Sequence, residues 1–281
     1  MEVKVARTAG FCFGVERAVR QVEELIQSGA KPLYTYGPII HNEQVVEEFE
    51  SRGVKALEDE EAVKQAEPGT IVLRSHGVSR REEEEIKNLG FHVVDATCPF
   101  VKKIHHLVAG AREEGRKVLI AGDVTHPEVQ AIVGWCGEPP YVMASQEEIP
   151  SLPEDTPLLL VAQTTFHQEK FEKIVEIIKK KYYNASVVNT ICNATQRRQQ
   201  EAAELALHSD AMIVIGGKQS SNTKKLVEVC GAHCAKTYYI QSARDLTQQG
   251  FLPVSVVGIT AGASTPKNTI EEVQNFVRGE F

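Results

Sequence analysis

The stretch FHVVDATCPFVKKIHHLV, residues 91–108, joins an apolar run to an amphipathic pattern through a single cysteine, Cys98. The segment before the cysteine has the composition of a short β-strand. After it, apolar residues recur at helical spacing, at Val101, Ile104 and Val108. The stretch therefore predicts a strand, a turn that presents a thiol, and a helix.

The same junction occurs twice more, at Cys12 and at Cys192. Each of the three cysteines is followed by a helical pattern and then by a strand-like run that ends in glycine. The distances from cysteine to glycine are 25 positions for Cys12 to Gly37, 24 for Cys98 to Gly122 and 24 for Cys192 to Gly216. A constant order of elements at a constant spacing predicts three copies of one unit.

Each copy also carries two polar side chains at predicted strand ends. The first comes four residues after the glycine, and a later apolar run leads to the second. The first set is His41, His126 and Ser220, and the second is His76, Thr164 and Ser264. Every copy thus offers one thiol and two polar tips.

Several short runs, such as KVLIAG, AMIVIGG and PLLLVA, are apolar throughout. Continuous apolar runs are typical of strands buried on both faces of a parallel sheet, and their alternation with helices predicts an α/β fold. In each copy the predicted order is helix, strand with glycine, helix, short strand, helix, strand with polar tip, helix and closing strand.

The third copy stops after a helical pattern, without a closing strand. The N-terminal run VKVAR has the missing character, so we expect it to complete the third lobe and close the units into a ring. The prediction is three pseudo-symmetric α/β lobes, a cloverleaf around a central cluster. Its expected boundaries are residues 13–97, 98–192, and 193–281 together with 1–12.

Composition excludes several classes of protein. The chain has 281 residues, of which 42% are hydrophobic and 25% are charged, which is typical of a globular protein. Its net charge of −7 provides no basic stripe for nucleic acid. The sequence predicts no membrane-spanning segment and no cleavable leader, so we expect a cytoplasmic protein.

The three thiols, if they converge, are a ligand set for zinc or for an iron–sulfur cluster. Three protein ligands leave one coordination position open, as in catalytic metal sites. All-thiolate ligation, with no dinucleotide or flavin fingerprint, favours a 4Fe-4S cluster over a zinc hydrolase, which stays open as an alternative. The three remaining cysteines, Cys136, Cys230 and Cys234, lie outside the repeat and are interpreted as structural.

The polar tips suit a different ligand. His41, His76, Ser220, Ser221 and Asn222 supply N–H and O–H donors at strand ends and helix starts, where helix N-termini add oriented backbone N–H groups. Such donors suit a phosphate or diphosphate. Two alternatives stay open: plain N-capping by the Ser-Ser-Asn run, and a diphosphate-binding module without catalytic activity.

Two tripeptides could supply a proton. His126-Pro127-Glu128 and His41-Asn42-Glu43 each place an imidazole two residues from a carboxyl group at a strand-to-helix turn. Spacing does not choose between Glu128 and Glu43 as the general acid. Thr164, from the same copy as Glu128, could share a proton relay with it, which favours Glu128.

Taken together, the motifs resemble one known family. They are GFCFGVERA at Cys12, GPIIHN at His41, RSHGV at His76, DATCP at Cys98, GDVTHPEV at His126 and Glu128, AQTT at Thr164, NTICNATQRRQ at Cys192, SSNT at Ser220 and AGAS at Ser264. In this order, and across essentially the whole chain, they resemble the 4-hydroxy-3-methylbut-2-enyl diphosphate reductases, iron–sulfur enzymes of the non-mevalonate isoprenoid pathway.

The resemblance implies reductive dehydroxylation of (E)-4-hydroxy-3-methylbut-2-enyl diphosphate to isopentenyl and dimethylallyl diphosphate. It implies one 4Fe-4S cluster on Cys12, Cys98 and Cys192, two electrons from a reduced ferredoxin or flavodoxin, and a proton from Glu128. Thr164 would lie near the substrate hydroxyl, with His126 beside it. The diphosphate pocket would be formed by His41, His76, His126, Ser220, Ser221, Asn222 and Ser264.

Overall fold

The computed structural model describes residues 1–251 and 254–280, and it contains three four-stranded parallel sheets with helices around them. The chain begins with strand β1, Glu2–Val5, which is followed by helix α1, Phe13–Gln27. Among the described residues, no helix has the length and apolar content needed to cross a bilayer. The α/β class predicted from the alternating runs is confirmed.

The first sheet has the strand order β3-β2-β4-β5. Its strands are β2 (Leu33–Tyr36), β3 (Val54–Leu57), β4 (Thr70–Leu73) and β5 (His92–Asp95). The helices between them are α2 (Glu43–Ser51), α3 (Glu60–Gln65) and α4 (Arg80–Asn88). Side chains of Tyr36, Leu57 and Leu73 are buried in its core, as a two-sided parallel sheet requires.

The second sheet repeats this order as β7-β6-β8-β9. It follows helix α5 (Pro99–Glu113) and comprises β6 (Lys117–Ala121), β7 (Tyr141–Met143), β8 (Leu158–Ala162) and β9 (Ala185–Val187), with helices α6 (Pro127–Val133) and α7 (Gln168–Lys181).

One predicted helix of the second copy is wrong. Between β7 and β8 the chain forms only a short 3-10 helix, Gln146–Glu148. Pro150 and Pro153 follow closely. A proline cannot donate the backbone hydrogen bond of a helix interior and it disfavours helical geometry in the preceding residue, so the helix cannot extend.

The third sheet has the order β11-β10-β12-β1. After helix α8 (Asn193–Leu207) come β10 (Ala211–Ile215), α9 (Ser221–His233), β11 (Thr237–Ile240), α10 (Ala243–Gln248), β12 (Val256–Ala261) and α11 (Lys267–Glu280). Strand β1 pairs in parallel with β12, with Val3 opposite Val257. The prediction that the N-terminal run completes the third lobe is confirmed.

The described residues form two compact units by their contacts. One contains Met1–Glu16, His41–Val45 and Asn193–Phe281, and the other contains Arg17–Ile40 and Val46–Cys192. The first two sheets therefore lie in one unit and the third sheet lies in the other. The lobe boundaries 13–97, 98–192 and 193–281 with 1–12, and the arrangement of the lobes around a shared centre, stay predictions.

Candidate active site

Each of the three repeat cysteines is the residue directly before a fifteen-residue helix, α1, α5 or α8. All three are partly exposed. The backbone N–H of each cysteine donates a hydrogen bond to a carbonyl in the loop that follows β12, β4 or β8, respectively. In each case the acceptor is the second residue after the strand ends. The pairs are Cys12 to Ala263 at 3.1 Å, Cys98 to Ser75 at 3.0 Å and Cys192 to Thr164 at 3.0 Å. The three thiols thus occupy equivalent positions in three equivalent lobes.

The other cysteines occupy different surroundings. Cys230 and Cys234 are buried in the core of the third lobe, and the Cys136 thiol faces the Ile132 carbonyl at 3.4 Å. Burial raises the pKa of the Cys136 and Cys230 thiols to about 12. Thiols held in the neutral form are poor metal ligands, because the thiolate is the ligating species.

Glu128 lies in the first turn of α6, where its side chain is 2% exposed. Thr164, just beyond β8, holds both carboxylate oxygens. Its backbone N–H donates to Oε1 at 2.6 Å and its hydroxyl donates to Oε2 at 2.7 Å. These two hydrogen bonds fix the carboxyl group of α6 against the loop that follows β8.

The protonation of Glu128 follows from its burial. Removal of the carboxylate from water raises the pKa of Glu128 from 4.5 to about 7, and the two hydrogen bonds from Thr164 lower the pKa less than burial raises it. A carboxyl group with a pKa near neutrality is protonated often enough to act as a general acid and is readily reprotonated.

His126 begins α6 as its N-cap residue. Its Nδ1 accepts a hydrogen bond from the backbone N–H of Glu128 at 3.1 Å. A neutral imidazole with Nδ1 as acceptor carries its proton on Nε2, which makes Nε2 a donor. The ring of His76 meets the His126 ring edge-on, with centroids 5.5 Å apart and planes at 78°. Two imidazoles, those of His76 and His126, therefore lie beside the first turn of α6, which contains Glu128.

Asn222, in the first turn of α9, is 4% exposed. Neither its amide oxygen nor its amide nitrogen has a hydrogen-bond partner among the described residues. A buried amide without partners costs about 1–3 kcal/mol, so such a group is rare unless a ligand completes it. Ser220 caps the same helix by accepting from the Thr223 N–H at 3.3 Å. Ser221 is the first residue of the helix and is partly exposed.

His41 and Asn42 form hydrogen bonds with Ser264, which belongs to the same compact unit. The Asn42 amide donates to the Ser264 carbonyl at 2.9 Å, and its oxygen accepts from the Val45 N–H at 3.1 Å, which caps α2. The Ser264 hydroxyl donates to the His41 carbonyl at 2.9 Å. Since that hydroxyl proton is already engaged, Ser264 would have to rotate its hydroxyl to donate to an anion.

The structure corrects one alignment between the copies. In every lobe, the N–H of the fourth residue after the third strand donates to the carbonyl of the first, as in Gly77 to Arg74, Phe166 to Gln163 and Thr265 to Gly262. In this register the residue equivalent to His76 and Ser264 is Thr165. The alignment that gave this position to Thr164 is off by one residue, because the apolar run does not reveal that β8 ends at Ala162.

The two candidate acids differ in their surroundings. Both stand six positions after the glycine of their lobe, where the third lobe has Asn222. Glu128 is buried, whereas Glu43 is exposed and accepts a hydrogen bond from the Gln241 amide at 2.8 Å. Burial raises the pKa of Glu128, and the difference in burial between the two carboxyl groups depends on packing that spacing does not reveal.

Sequence reasoning gave no role to several residues around these loops. Gln163, 2% exposed, accepts from the Asp123 N–H at 3.1 Å and thereby joins the ends of β6 and β8. Arg198 is buried on α8 and hydrogen-bonds the loop before Cys12. A signal was present, since Arg198 lies within the NTICNATQRRQ motif.

Fold and site together define a triplicated α/β enzyme with a thiol in every lobe and a buried acid in the second. A sequence model of the LytB protein family matches residues 3–278. The chain belongs to the LytB protein family, and it is an oxidoreductase.

Two similar proteins have the same name. The chain is 44% identical over 274 residues to the 4-hydroxy-3-methylbut-2-enyl diphosphate reductase of Caldanaerobacter subterraneus subsp. tengcongensis. The aligned region covers 97% of this chain and 95% of the relative. It is 46% identical over 273 residues to the enzyme of that name from Geotalea uraniireducens, with coverage of 97% and 95%.

Two solved structures resemble the chain along nearly its whole length. The structure of (E)-4-hydroxy-3-methyl-but-2-enyl diphosphate reductase, described as the terminal enzyme of the non-mevalonate pathway, is 39% identical, covers 99% of both chains and has a TM-score of 0.72. The E-1-hydroxy-2-methyl-but-2-enyl-4-diphosphate reductase from Plasmodium falciparum is 28% identical, covers 98% of this chain and 87% of that one, and has a TM-score of 0.91.

Proposed function

We propose that this protein reduces (E)-4-hydroxy-3-methylbut-2-enyl diphosphate to isopentenyl diphosphate and dimethylallyl diphosphate. The names of its relatives support this substrate. The reaction consumes two electrons and two protons, and the allylic hydroxyl leaves as water. The single observation that carries the proposal is the buried carboxyl group of Glu128, which Thr164 holds in place and whose pKa burial raises to about 7.

The thiols of Cys12, Cys98 and Cys192 are the proposed ligands of one 4Fe-4S cluster. Their equivalent positions, partial exposure and location at helix N-termini support this assignment, because a helix N-terminus stabilises the negative charge of a thiolate. Three ligands leave one iron without a protein ligand. When bound, the cluster supplies electrons and a Lewis-acidic iron at the substrate hydroxyl.

Glu128 is the proposed proton donor. In its protonated form it delivers a proton to the departing hydroxyl, which would otherwise leave as the much poorer leaving group hydroxide. Thr164 holds the carboxyl group in place through its N–H and hydroxyl. A second proton then adds at either end of the allylic unit, and the end that receives it decides which of the two products forms.

Side chains of all three lobes are the proposed diphosphate ligands: His41, His76, His126, Ser220, Ser221, Asn222 and Ser264. Within this set, Asn222 has the strongest support, because its buried amide lacks partners among the described residues. His126 is supported by its tautomer, since Nδ1 accepts from Glu128 N–H and leaves the proton on Nε2. Orientation and fixed charge are thus the protein's contribution to catalysis.

An external carrier must provide the electrons, and we infer a reduced ferredoxin or flavodoxin. Helix α5, directly after Cys98, has no carboxylate before Glu113 and presents Lys103 and His106 to solvent. Phe100, two residues from the thiol, is 42% exposed. Such a cationic, partly apolar surface complements an acidic carrier. Turnover driven by the carrier should therefore fall with added salt, while turnover driven by a small chemical reductant should not.

One preparation tests the proposed function against a zinc hydrolase and a non-catalytic binding module. Protein purified without oxygen should be brown, should contain about four iron atoms and about four sulfide ions per chain, and should bleach in air. With a low-potential reductant it should convert the substrate to both products. A colourless protein that contains zinc and only hydrolyses the diphosphate, or one that binds it without metal, would refute the assignment.

A further inference from the structure

The loop that leads from β1 to Cys12 is held by a buried arginine of α8. Arg198 is 3% exposed. Its Nε donates to the carbonyl of Thr8 at 2.9 Å, and its Nη2 donates to the carbonyl of Gly10 at 2.6 Å. A planar guanidinium that holds two carbonyls fixes both the position and the orientation of the backbone between them.

Glu201, less than one helical turn further along α8, holds the start of the same loop. Its Oε1 accepts from the Arg7 N–H at 2.7 Å, and its Oε2 accepts from the N–H and the hydroxyl of Thr8 at 2.9 and 2.5 Å. The oppositely charged side chains of Arg198 and Glu201 therefore satisfy donors and acceptors of one short segment.

This segment has little regular structure of its own. Residues 6–12 form neither helix nor strand, and Gly10 adopts a φ of +100°, which residues with a side chain rarely adopt. Such a loop is held by its partners. Five hydrogen bonds from two charged side chains hold residues 7–10, directly before the Cys12 thiol.

The first lobe has a related arrangement. Arg17 of α1 donates to the carbonyls of Asp95 and Thr97 at 3.1 and 3.2 Å, in the loop that leads to Cys98. Arg17 stands five residues after Cys12, and Arg198 stands six residues after Cys192. In the first and third lobes, a basic side chain on the first helix thus holds the loop before a repeat cysteine, which argues against an accidental contact.

We propose that Arg198 and Glu201 are positioning residues that hold the Cys12 loop in the geometry needed to retain the cluster. The inference rests on the proposed function, because it assumes that Cys12 is a ligand. Neither side chain needs to touch substrate. Their loss should loosen residues 6–12 and speed the departure of iron, while the other two thiols remain in place.

The test measures cluster release from anaerobically loaded protein into an excess of iron chelator. The variants Arg198→Gln and Glu201→Gln should release iron about tenfold faster than the wild type, the change expected when one charge-assisted hydrogen bond is lost. Hydrogen exchange of the Arg7 and Thr8 amides in the loaded protein should accelerate as well. Arg198→Lys should recover part of the retention, since it keeps one charged donor.

Matched controls separate positioning from general destabilisation. The exposed residues Arg197 and Glu204 lie on the same helix, and Arg197→Gln and Glu204→Gln should release iron like the wild type. Met212→Ala truncates the other core cluster of the same lobe, in which no residue of the loop packs, and should lower overall stability without affecting the loop.

The outcomes are distinct. Fast release and fast local exchange only in the Arg198 and Glu201 variants would support the inference. Wild-type release in both, or equally fast release in Met212→Ala, would overturn it. A wild type that binds no cluster under these conditions would instead refute the proposed function on which the inference rests.

Discussion

The backbone N–H of Cys192 donates a hydrogen bond to the carbonyl oxygen of Thr164 at 3.0 Å. The same threonine donates its own N–H and its hydroxyl to the carboxylate of Glu128. One residue thus connects a proposed cluster ligand to the proposed proton donor through three hydrogen bonds. The connection is local to the second lobe and joins the end of β8 to the start of α6 and to Cys192.

Glu128→Gln should slow turnover strongly while diphosphate binding is retained, because the amide keeps the shape of the side chain but cannot donate the catalytic proton. A loss of about a hundredfold or more is expected for a general acid. Steady-state rates and substrate affinity measure the two effects separately. Unchanged turnover would transfer the acid role to another group.

The same substitution should change how stability depends on pH. The folded-state pKa of Glu128, about 7, lies above its ordinary value of 4.5, so the native state binds its proton more tightly than the unfolded state. This contribution to stability is fully present below pH 4.5 and is lost as pH rises to about 7. Above that pH, Glu128→Gln should therefore be more stable than the wild type, by up to about 3 kcal/mol. Denaturant unfolding at pH 5 and pH 8 gives the comparison, and equal pH slopes would contradict it.

Thr164→Val should move the alkaline limb of the rate profile to higher pH. The threonine hydroxyl donates to the carboxylate and lowers the pKa of Glu128, so its removal raises that pKa further. Thr164→Ser keeps the hydroxyl and is the matched control. The profile of kcat against pH is the measurement, and a limb that shifts downward in the valine variant would oppose the assignment.

Asn222→Leu should increase the stability of the ligand-free protein against unfolding and weaken its binding of diphosphate. An apolar side chain of similar size removes two buried polar atoms that lack partners among the described residues, a change worth about 1–3 kcal/mol. Thermal unfolding with and without inorganic diphosphate tests both effects. A variant that the anion still stabilises as much as the wild type would remove Asn222 from the diphosphate pocket.

His126→Asn separates helix capping from anion binding. Asparagine is a good N-cap residue and can replace Nδ1 as acceptor, but it has no group in the place of Nε2. We expect wild-type stability to within about 1 kcal/mol and a Michaelis constant raised about tenfold or more. His126→Ala should show the binding defect together with a loss of stability. Equal Michaelis constants for wild type and His126→Asn would contradict the binding role.

The sequence predicted the fold well where a local pattern decides it. Strands such as β8 and β10 are continuous apolar runs, and the three long helices begin directly after the repeat cysteines. The strand-like N-terminal run predicted that β1 completes the third lobe, where it pairs with β12. The strand end before Thr164 was missed by one residue, because glutamine at position 163 can either continue a strand or follow it. Where a strand ends is fixed by its hydrogen bonds with neighbouring strands, and the sequence of one strand alone does not reveal them.

The site was less accessible to sequence reasoning. Glu128 and Glu43 have the same spacing, and they differ in burial and in hydrogen-bond partners. Arg198 and Glu201 are charged residues on a helix, a pattern typical of an exposed face, and only tertiary contact reveals that they hold the Cys12 loop. The residue types were visible in the sequence, whereas their partners depend on packing between distant segments.

The most direct test of the claim that the three repeat cysteines hold the cluster is the iron and sulfide content of anaerobically prepared variants. The variants are Cys12→Ser, Cys98→Ser and Cys192→Ser, compared with wild type and with the controls Cys136→Ser and Cys230→Ser. Each of the first three should lose the intact 4Fe-4S cluster and its colour. The two controls should keep about four iron atoms per chain, because both thiols lie outside the repeat, that of Cys136 partly buried and that of Cys230 buried. Full iron content and normal turnover in any of the first three variants would contradict the claim that the repeat holds the cluster.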